Sequence, residues 1–366
     1  GGGGGGSGAK SSDTTPPDAP VITSGEFTNQ VKPTIAGTAE PGSKVTLTLD
    51  VGNDGRADVT YDATVASNGT WSVDTATATP TAGSLPTIDE GVTTSISARA
   101  VDTAGNASAL TIGRLTLDTG APPPPTIDSP LLTNDTTPLI HGFAEPGSIV
   151  TVELDLNRDG TPDVRWNATA LASGAYSVDI GSAPASGSLP GGKLGDVSTT
   201  TLSVFASDLA GNASTRVQAE LRVDTSIPPP PQIVTPIAGD NMINAAEAGA
   251  AVTISGTLDA AYADRPVSVQ WGSLAPRAAT VTGTAWSITF AAADIPADGV
   301  QTVRATYVNA AGTTSVEATQ PLMIDRVTPG APSIALNPGS DSGTPGDGIT
   351  SDDTPTFSGT AEAGST

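Results

Sequence analysis

Ala39–Asp50 reads AEPGSKVTLTLD and Ala144–Asp155 reads AEPGSIVTVELD, so one turn-then-strand string occurs twice, 105 residues apart. After the Pro-Gly turn, Val45, Leu47 and Leu49 alternate with polar residues, and Val150, Val152 and Leu154 do the same. A period of two is that of a strand with one buried face. Outward from this string the echoes continue. AGNAS at Ala104–Ser108 returns at Ala210–Ser214, 106 residues on, and Trp71 in GTWSVD returns as Tyr176 in GAYSVD and more loosely as Trp286 in TAWSIT. Ile96, Ala98 and Ala100 match Leu202, Val204 and Ala206, then Val303, Ala305 and Tyr307, and the segments ending in Asp102 and Asp208 return in one ending in Asn309. Self-similarity at a fixed spacing marks a repeat protein. Two copies are in register, a third has diverged, and a fourth begins with DSGTPGDGITSDDTPTFSGTAEAGS (Asp341–Ser365) and is cut short at Thr366.

Roughly 100 residues per copy, about seven short strands and turn signals between them predict a two-sheet antiparallel sandwich of immunoglobulin type. A β-barrel is the competing architecture. Proline runs that begin at Asp13, Asp118, Asp224 and Asp325 divide the chain into a flexible Gly-rich segment (1–12), repeats at 13–118, 119–224 and 225–325, and a truncated repeat at 326–366. Polyproline resists collapse, which predicts semi-rigid beads in an extended array. The expected fold is therefore all-β, tandem Ig-like sandwiches in series.

The chain has 366 residues, enough for two to four domains. Fifteen basic side chains against 38 acidic ones leave a net charge of −23, which repels nucleic acid and anionic membrane surfaces alike. Cysteine is absent, which excludes a disulfide framework, a thiolate zinc site and a cysteine nucleophile. Apolar runs fall short of the roughly 18 residues that span a bilayer, so no membrane insertion is expected of this segment. The sequence opens with Gly1–Gly6 rather than a Met and a leader, and reads as an internal piece of a longer protein.

DLNRDGTPD, Asp155–Asp163, puts Asp155, Asn157, Asp159 and Asp163 at positions 1, 3, 5 and 9 around Gly160. Carboxylates and an amide closely spaced on a tight turn suit a hard cation that takes 6 to 8 oxygen ligands, as calcium does. The first copy keeps Asp50, Asp54 and Asp58 in DVGNDGRAD but has Gly52 at the place of Asn157. Trp166 and Tyr61 stand where an EF-hand carries its twelfth-position acid, and each loop joins two strands, so that fold is not implied. A plain Asp-Gly hairpin turn with solvated charges is the alternative. A second acidic set brackets the last strand of each copy, Asp102 with Asp118 and Asp208 with Asp224. Asp135 and Glu145, or Asp240 and Glu247, could complete a cation site between beads, while isolated surface carboxylates are the alternative.

TNDTTP, GFAEPGS, GAYSVD, ASDLAGNAS and VDTSIPPPP in the second copy, with their counterparts in the first and fourth, resemble the bacterial Ig-like repeats of very large secreted adhesins of the RTX and biofilm-associated kind. The resemblance runs from Asp13 to nearly the end of the chain. It implies a cell-surface stalk, often exported by a type I system, with calcium held between neighbouring domains by Asp102, Asp118, Asp208 and Asp224. The third copy departs from the pattern, with Asn309 for the loop aspartate and no AEPGS string.

Ingredients for catalysis are poor. His141, on PLIHGF, is the one histidine, no serine sits in a G-x-S-x-G string, and Gly191 and Gly192 before Lys193 lack the rest of a P-loop. Paired acids hydrolyse glycosides only across a cleft, whereas these carboxylates recur in turns with the repeat. Trp71, Tyr176 and Trp286 fall one per copy, which favours a core role over a sugar-stacking platform. The sequence thus reads as a non-enzymatic, extracellular spacer of a bacterial surface adhesin, stiffened by prolines and calcium, that supports adhesion or biofilm formation. Its expected partners are neighbouring repeats of the same chain. The rival readings are an accessory region of a secreted polysaccharide-degrading enzyme and a carbohydrate-binding module.

Overall fold

The structure, a computed structural model, describes residues 13–363 and 365. The Gly-rich segment 1–12 lies outside the described residues. One compact unit ends at Asp224 and a second begins at Thr225.

The first unit opens with nine strands, β1 (Val21–Ile22), β2 (Phe27–Thr28), β3 (Thr34–Thr38), β4 (Lys44–Val51), β5 (Val59–Thr64), β6 (Thr70–Asp74), β7 (Ala82–Gly83), β8 (Thr93–Val101) and β9 (Thr111–Leu117). They form two sheets, ordered β1-β3-β6 and β2-β9-β8-β4-β5-β7. The opening strand is split. β1 pairs antiparallel with β3 in one sheet, then β2 runs parallel to β9 in the other through Phe27↔Thr116. A first strand that serves both sheets is an Ig-like device, since it lends an edge to each layer. Alternation sets the faces. Val45, Leu47 and Leu49 of β4 and Ile96, Ala98 and Ala100 of β8 point into one core with Ile35, Tyr61, Trp71 and Val73.

Seven strands follow, β10 (Leu132–Thr133), β11 (Leu139–Phe143), β12 (Ile149–Asp155), β13 (Val164–Thr169), β14 (Ala175–Asp179), β15 (Thr199–Ser207) and β16 (Val217–Val223). The sheets are β10-β16-β15-β12-β13 and β11-β14, with β10 again parallel to its partner. Val150, Val152, Leu154, Leu202, Val204 and Ala206 fill a separate core around Trp166 and Tyr176. In β12 the outward residues Thr151, Glu153 and Asp155 are buried as well.

The second unit contains β17 (Gln232–Ile233), β18 (Met242–Ile243), the one-turn helix α1 (Ala245–Ala248), β19 (Val252–Thr257), β20 (Val267–Trp271), β21 (Arg277–Ala278), β22 (Thr280–Thr282), β23 (Ala285–Phe290), β24 (Gly299–Tyr307) and β25 (Ala318–Ile324). Its sheets, β17-β19-β23-β22 and β18-β25-β24-β20-β21, enclose a core with Trp271, Trp286 and Phe290. β26 (Ser333–Leu336) and β27 (Phe357–Thr360) pair antiparallel beyond it. The expectation of about seven strands per copy holds for the second sandwich, whereas the first and third carry nine. The extra pieces, such as β1, β2 and β7, are two residues long, too short to show a period in sequence.

One register position recurs in all three sandwiches. Gly37 faces Trp71, Gly142 faces Tyr176 and Gly256 faces Trp286 across an antiparallel pair. A Cβ on Gly37 would lie 2.0 Å from the Val21 main-chain oxygen and 2.6 Å from Trp71 Cζ2. The glycine lets an aromatic ring lie flat across its strand while the first strand closes over the same spot. All three aromatics are buried, so none offers a ring to a ligand.

Candidate functional site

The loop between β12 and β13 is built on Asp155. Its Oδ1 accepts the Asp159 N–H at 3.2 Å and its Oδ2 accepts the Gly160 N–H at 2.8 Å. Asn157 Oδ1 accepts the same Asp159 N–H at 3.0 Å, and its Nδ2 donates to Asp159 Oδ2 at 3.0 Å. Asp159 Oδ1 accepts the Thr161 N–H at 2.8 Å, and Asp163 Oδ2 accepts the Leu156 N–H at 2.7 Å. Arg158 and Gly160 take positive φ, 61° and 89°, which bends the chain around the first carboxylate. The Thr161 N–H, then the Asn157 amide, hold the Asp159 carboxyl below the ordinary range. The loop between β4 and β5 has the same skeleton. Asp50 accepts the Asp54 and Gly55 N–H groups at 3.0 and 2.9 Å, and Asp58 accepts the Val51 N–H at 2.8 Å. Gly52 supplies no amide there.

Three carboxylates and an amide oxygen are a hard donor set, and in that sense the Asp155 loop fits calcium. As folded, these oxygens are engaged by N–H groups, the pattern of a self-satisfied Asp-Gly turn. Among the described residues, no three His, Cys, Asp or Glu side chains gather as a metal-holding group.

The loop after the long late strand meets the linker that precedes its sandwich. Asp208 Oδ1 accepts the Asn212 N–H at 2.8 Å and Oδ2 accepts Asn212 Nδ2 at 2.8 Å. That amide also donates to the Asp118 main-chain oxygen at 2.8 Å, tying the second sandwich to the linker behind the first. In the first sandwich Asn106 Nδ2 donates to Asp102 Oδ2 at 2.7 Å and to the Asp13 oxygen at 3.0 Å. The Asn106 amide is the foremost cause of a lowered Asp102 pKa, reinforced by the Asn106, Ala104 and Gly105 N–H groups. Ser108 and Ser214 anchor these loops, each accepting a strand N–H at 2.9 Å. The third copy keeps the turn with a neutral residue, Asn309 Oδ1 accepting the Ala311 and Thr313 N–H groups at 3.0 and 2.8 Å. Thr313 stands there in place of the bridging asparagine.

Strand register decides which acids meet. Thr199 faces Arg222 and Val204 faces Val217, so Asp224 follows β16 at the end of the sheet where β15 begins, while Asp208 lies past the other end of β15. Nine residues of strand hold them roughly 30 Å apart. Asp102 and Asp118 are separated in the same way by β8 and β9. Asp135 lies at the Asp224 end, since the Asp224 N–H donates to the Thr133 oxygen at 2.9 Å. Glu145 lies at the Asp208 end, because Ile149 faces Ser207. Asp135 and Glu145 are therefore not brought together. Asp118 Oδ1 accepts the Gly120 N–H at 3.0 Å, and Asp135 Oδ1 the Thr137 N–H at 2.8 Å. Asp240 accepts the Met242 N–H at 2.8 Å, and Glu247 is spent on the capping box of α1 with Asn244.

Sequence reasoning passed over Asn106 and Asn212, although AGNAS was in view as a repeat marker. The signal was that an amide recurs four residues after each aspartate. It also passed over Glu153, whose buried side chain pairs with Arg165 and Arg216. That trio shows only as a departure between copies at outward-facing positions.

Sheet order, split first strand and repeated loops define tandem Ig-like β-sandwiches. Residues 10–119, which include the first sandwich, match the family model described as the bacterial Ig-like domain. No curated protein matches the chain. Among solved structures, one concerns host cell surface retention of a 1.5-MDa bacterial ice-binding adhesin, 22% identical, covering 86% of this chain and 100% of that one with a TM-score of 0.27. A Ca2+-stabilized adhesin with which an Antarctic bacterium binds ice is 24% identical over 89% of this chain and 78% of that one, TM-score 0.30. A tetra-tandem repeat from the extending region of a large adhesion protein is 20% identical over 87% and 77%, TM-score 0.25. No helix among the described residues is long and apolar enough to cross a membrane.

Proposed function

We propose that this chain is a non-enzymatic, extracellular spacer of a bacterial surface adhesin, built of Ig-like repeats at 13–118, 119–224 and 225–325 with part of a fourth at 326–366, and that it supports adhesion or biofilm formation. The observation that carries this reading is the Asn212 amide, which fastens the Asp208 loop to the linker at Asp118. A repeat whose loop grips the linker behind it limits bending at that joint, which is what a spacer must do. The family match over 10–119 supports the same reading.

Calcium belongs to this proposal. Asp155, Asn157, Asp159 and Asp163 would hold it in the second repeat, and Asp50, Asp54 and Asp58 in the first. The junction acids Asp102, Asp118, Asp135, Glu145, Asp208 and Asp224 would serve joints rather than single repeats. When bound, the ion supplies charge neutralisation within a crowded carboxylate loop. Asp155 already orients that loop by holding the Asp159 and Gly160 N–H groups, and Gly160 permits the bend. Extracellular modules bind calcium at roughly 10⁻⁴ to 10⁻³ M, and a tenfold excess over Kd stabilises by about 1.4 kcal/mol per site. That is small beside a domain stability of roughly 5 to 15 kcal/mol, so chelation should free the joints before it unfolds the sandwiches.

Small-angle scattering of the chain with millimolar calcium and with chelator tests the reading. The expected result is a broader distribution of interatomic distances on chelation with unchanged circular dichroism. Scattering curves that coincide would remove calcium as a stiffener, and a catalytic activity found in the chain itself would remove the spacer.

A further inference from the structure

The outer face of the second sandwich carries a cleft that the spacer role leaves unused. Its volume is about 540 Å³, within the range of roughly 300–1,000 Å³ usual for small-molecule sites. Glu153 of β12 forms the floor, its side chain wholly removed from solvent, and each of its oxygens is paired with one arginine, Arg165 of β13 and Arg216 ahead of β16. Both guanidiniums remain about half exposed, with 45% and 46% of their side-chain surface open. Arg216 lies over the Phe205 ring at 4.2 Å, which fixes its plane. Arg158, on the loop above, forms the third basic wall and pairs with exposed Glu220. Ser203 and Gln218 add a hydroxyl and an amide, hydrogen-bonded to each other at 3.1 Å.

The sandwich does not need this constellation. With the same strand pairing, the first repeat has Thr48, Thr60 and Leu110 at the positions of Glu153, Arg165 and Arg216. A buried carboxylate is costly, and well-packed neutral residues do the structural work at least as well. The arginines are also scarce. The chain has 15 basic residues in 366, and three of them line this one cleft. Each guanidinium has five donors in a fixed fork, so one bond to Glu153 leaves others directed elsewhere.

We propose that this cleft binds an acidic saccharide, a sugar unit that carries a carboxylate among its hydroxyls. Arg158, Arg165 and Arg216 would take the carboxylate, for which arginine forks are suited. The Thr201 hydroxyl and the Gln218 amide, both open to the cleft, would meet sugar hydroxyls, which a bare inorganic anion does not offer. Ser203 and Gln218 present both donors and acceptors, the mixed lining that polyhydroxylated ligands require. This proposal does not depend on the Asn212 bridge that carries the spacer reading, but the cleft shares Asp155 and the Arg158 loop with the calcium proposal, so its test is run in the presence of chelator.

Isothermal calorimetry on the whole chain, with a galacturonic acid tetramer, the galacturonic acid monomer and a neutral galactose tetramer as probes, tests it. The acidic tetramer should bind and weaken as salt rises, and the neutral tetramer should bind about tenfold or more weakly, the worth of a charge-assisted hydrogen bond. Binding of the monomer as tightly as the tetramer would identify a free sugar acid rather than a polymer as the ligand, with the site upheld. Arg158→Ala and Gln218→Ala leave the Glu153 pairs intact and should each lower affinity, while Arg114→Ala, on the first sandwich, should not. The proposal is overturned if the acidic tetramer gives no heat at millimolar concentration, if the neutral one binds equally well, or if Arg158→Ala and Gln218→Ala bind like the wild type.

Discussion

The Asn212 side-chain amide joins two elements that lie 94 residues from it and four residues from it, donating at 2.8 Å to the Asp118 main-chain oxygen and at 2.8 Å to the Asp208 carboxylate. Because one end of this bridge is on the linker behind the first sandwich, a local turn becomes a joint. Removal of the amide should affect the joint more than either core.

Asn212→Ala is expected to cost about 1–3 kcal/mol, because it takes a hydrogen bond from the buried Asp208 carboxylate. Amide exchange at Thr119 and Gly120 should accelerate, while the core amides of β12 and β15 keep their protection. Equal acceleration in both places would show that the bridge is part of the core rather than a joint.

The same bridge in the first sandwich makes a pH prediction. The Asn106 amide and three N–H groups hold Asp102 below the ordinary carboxylate pKa. A folded-state value below the unfolded one contributes stability above the unfolded pKa, and this is lost as pH falls through the folded one. NMR titration should find Asp102 among the last carboxylates to protonate on acidification, and Asn106→Ala should raise its midpoint. A midpoint indifferent to that substitution would disprove the assignment.

Tyr176 and Tyr307 make the opposite prediction at high pH. Burial, with the Asp128 charge beside it, pushes Tyr176 up to about 12, and burial, with Tyr262 and Asp259, pushes Tyr307 up to about 12. Tyr176 also donates to the Thr126 oxygen at 2.6 Å, a bond the phenolate cannot make. Raised phenols contribute stability that is whole below the unfolded value of about 10 and lost as pH rises toward the folded value. Absorbance at the tyrosinate band should show a late phase that coincides with loss of near-ultraviolet circular dichroism. All four tyrosines ionising together near pH 10 in a folded chain would contradict this.

Gly37→Ala should be among the most damaging single-methyl additions. The new Cβ would meet the Val21 oxygen at 2.0 Å and the Trp71 ring at 2.6 Å, so either the first strand or the ring must leave. Overpacking of this kind costs about 1–3 kcal/mol or more. Chemical denaturation should show the first sandwich unfolding early with the third unchanged, and a loss well under 1 kcal/mol would mean that β1 is not held there.

Calcium should raise the melting temperature of the second repeat, and Asp155→Asn, which can keep only one of the two turn hydrogen bonds because its amide nitrogen does not accept, should abolish that rise. About 1.4 kcal/mol at tenfold excess over Kd corresponds to several degrees for a domain of roughly 100 residues. An equal rise in the variant would remove Asp155 from the ligand set.

Much of this was legible in the residues. The alternation of Val45, Leu47 and Leu49, and of Leu202, Val204 and Ala206, names the buried faces correctly because side chains on a strand alternate strictly. The one-per-copy aromatics lie in the cores, opposite a glycine whose part only the register reveals. The candidate loops were visible as strings of acids. Their hydrogen-bond partners were not, because a carboxylate that accepts the Gly160 N–H has the same letters around it as one that waits for a cation.

The sequence by itself determined the repeat, the all-β class and the inward face of each long strand, since these follow from local periodicity and turn chemistry. Only the tertiary structure decided that Asp208 answers to Asp118 through Asn212 rather than to Asp224, because β15 and β16 run antiparallel and carry the two aspartates to opposite ends of one sheet. It alone decided, too, that Glu153, Arg165 and Arg216 share a cleft, since they come from separate segments that only sheet pairing brings side by side.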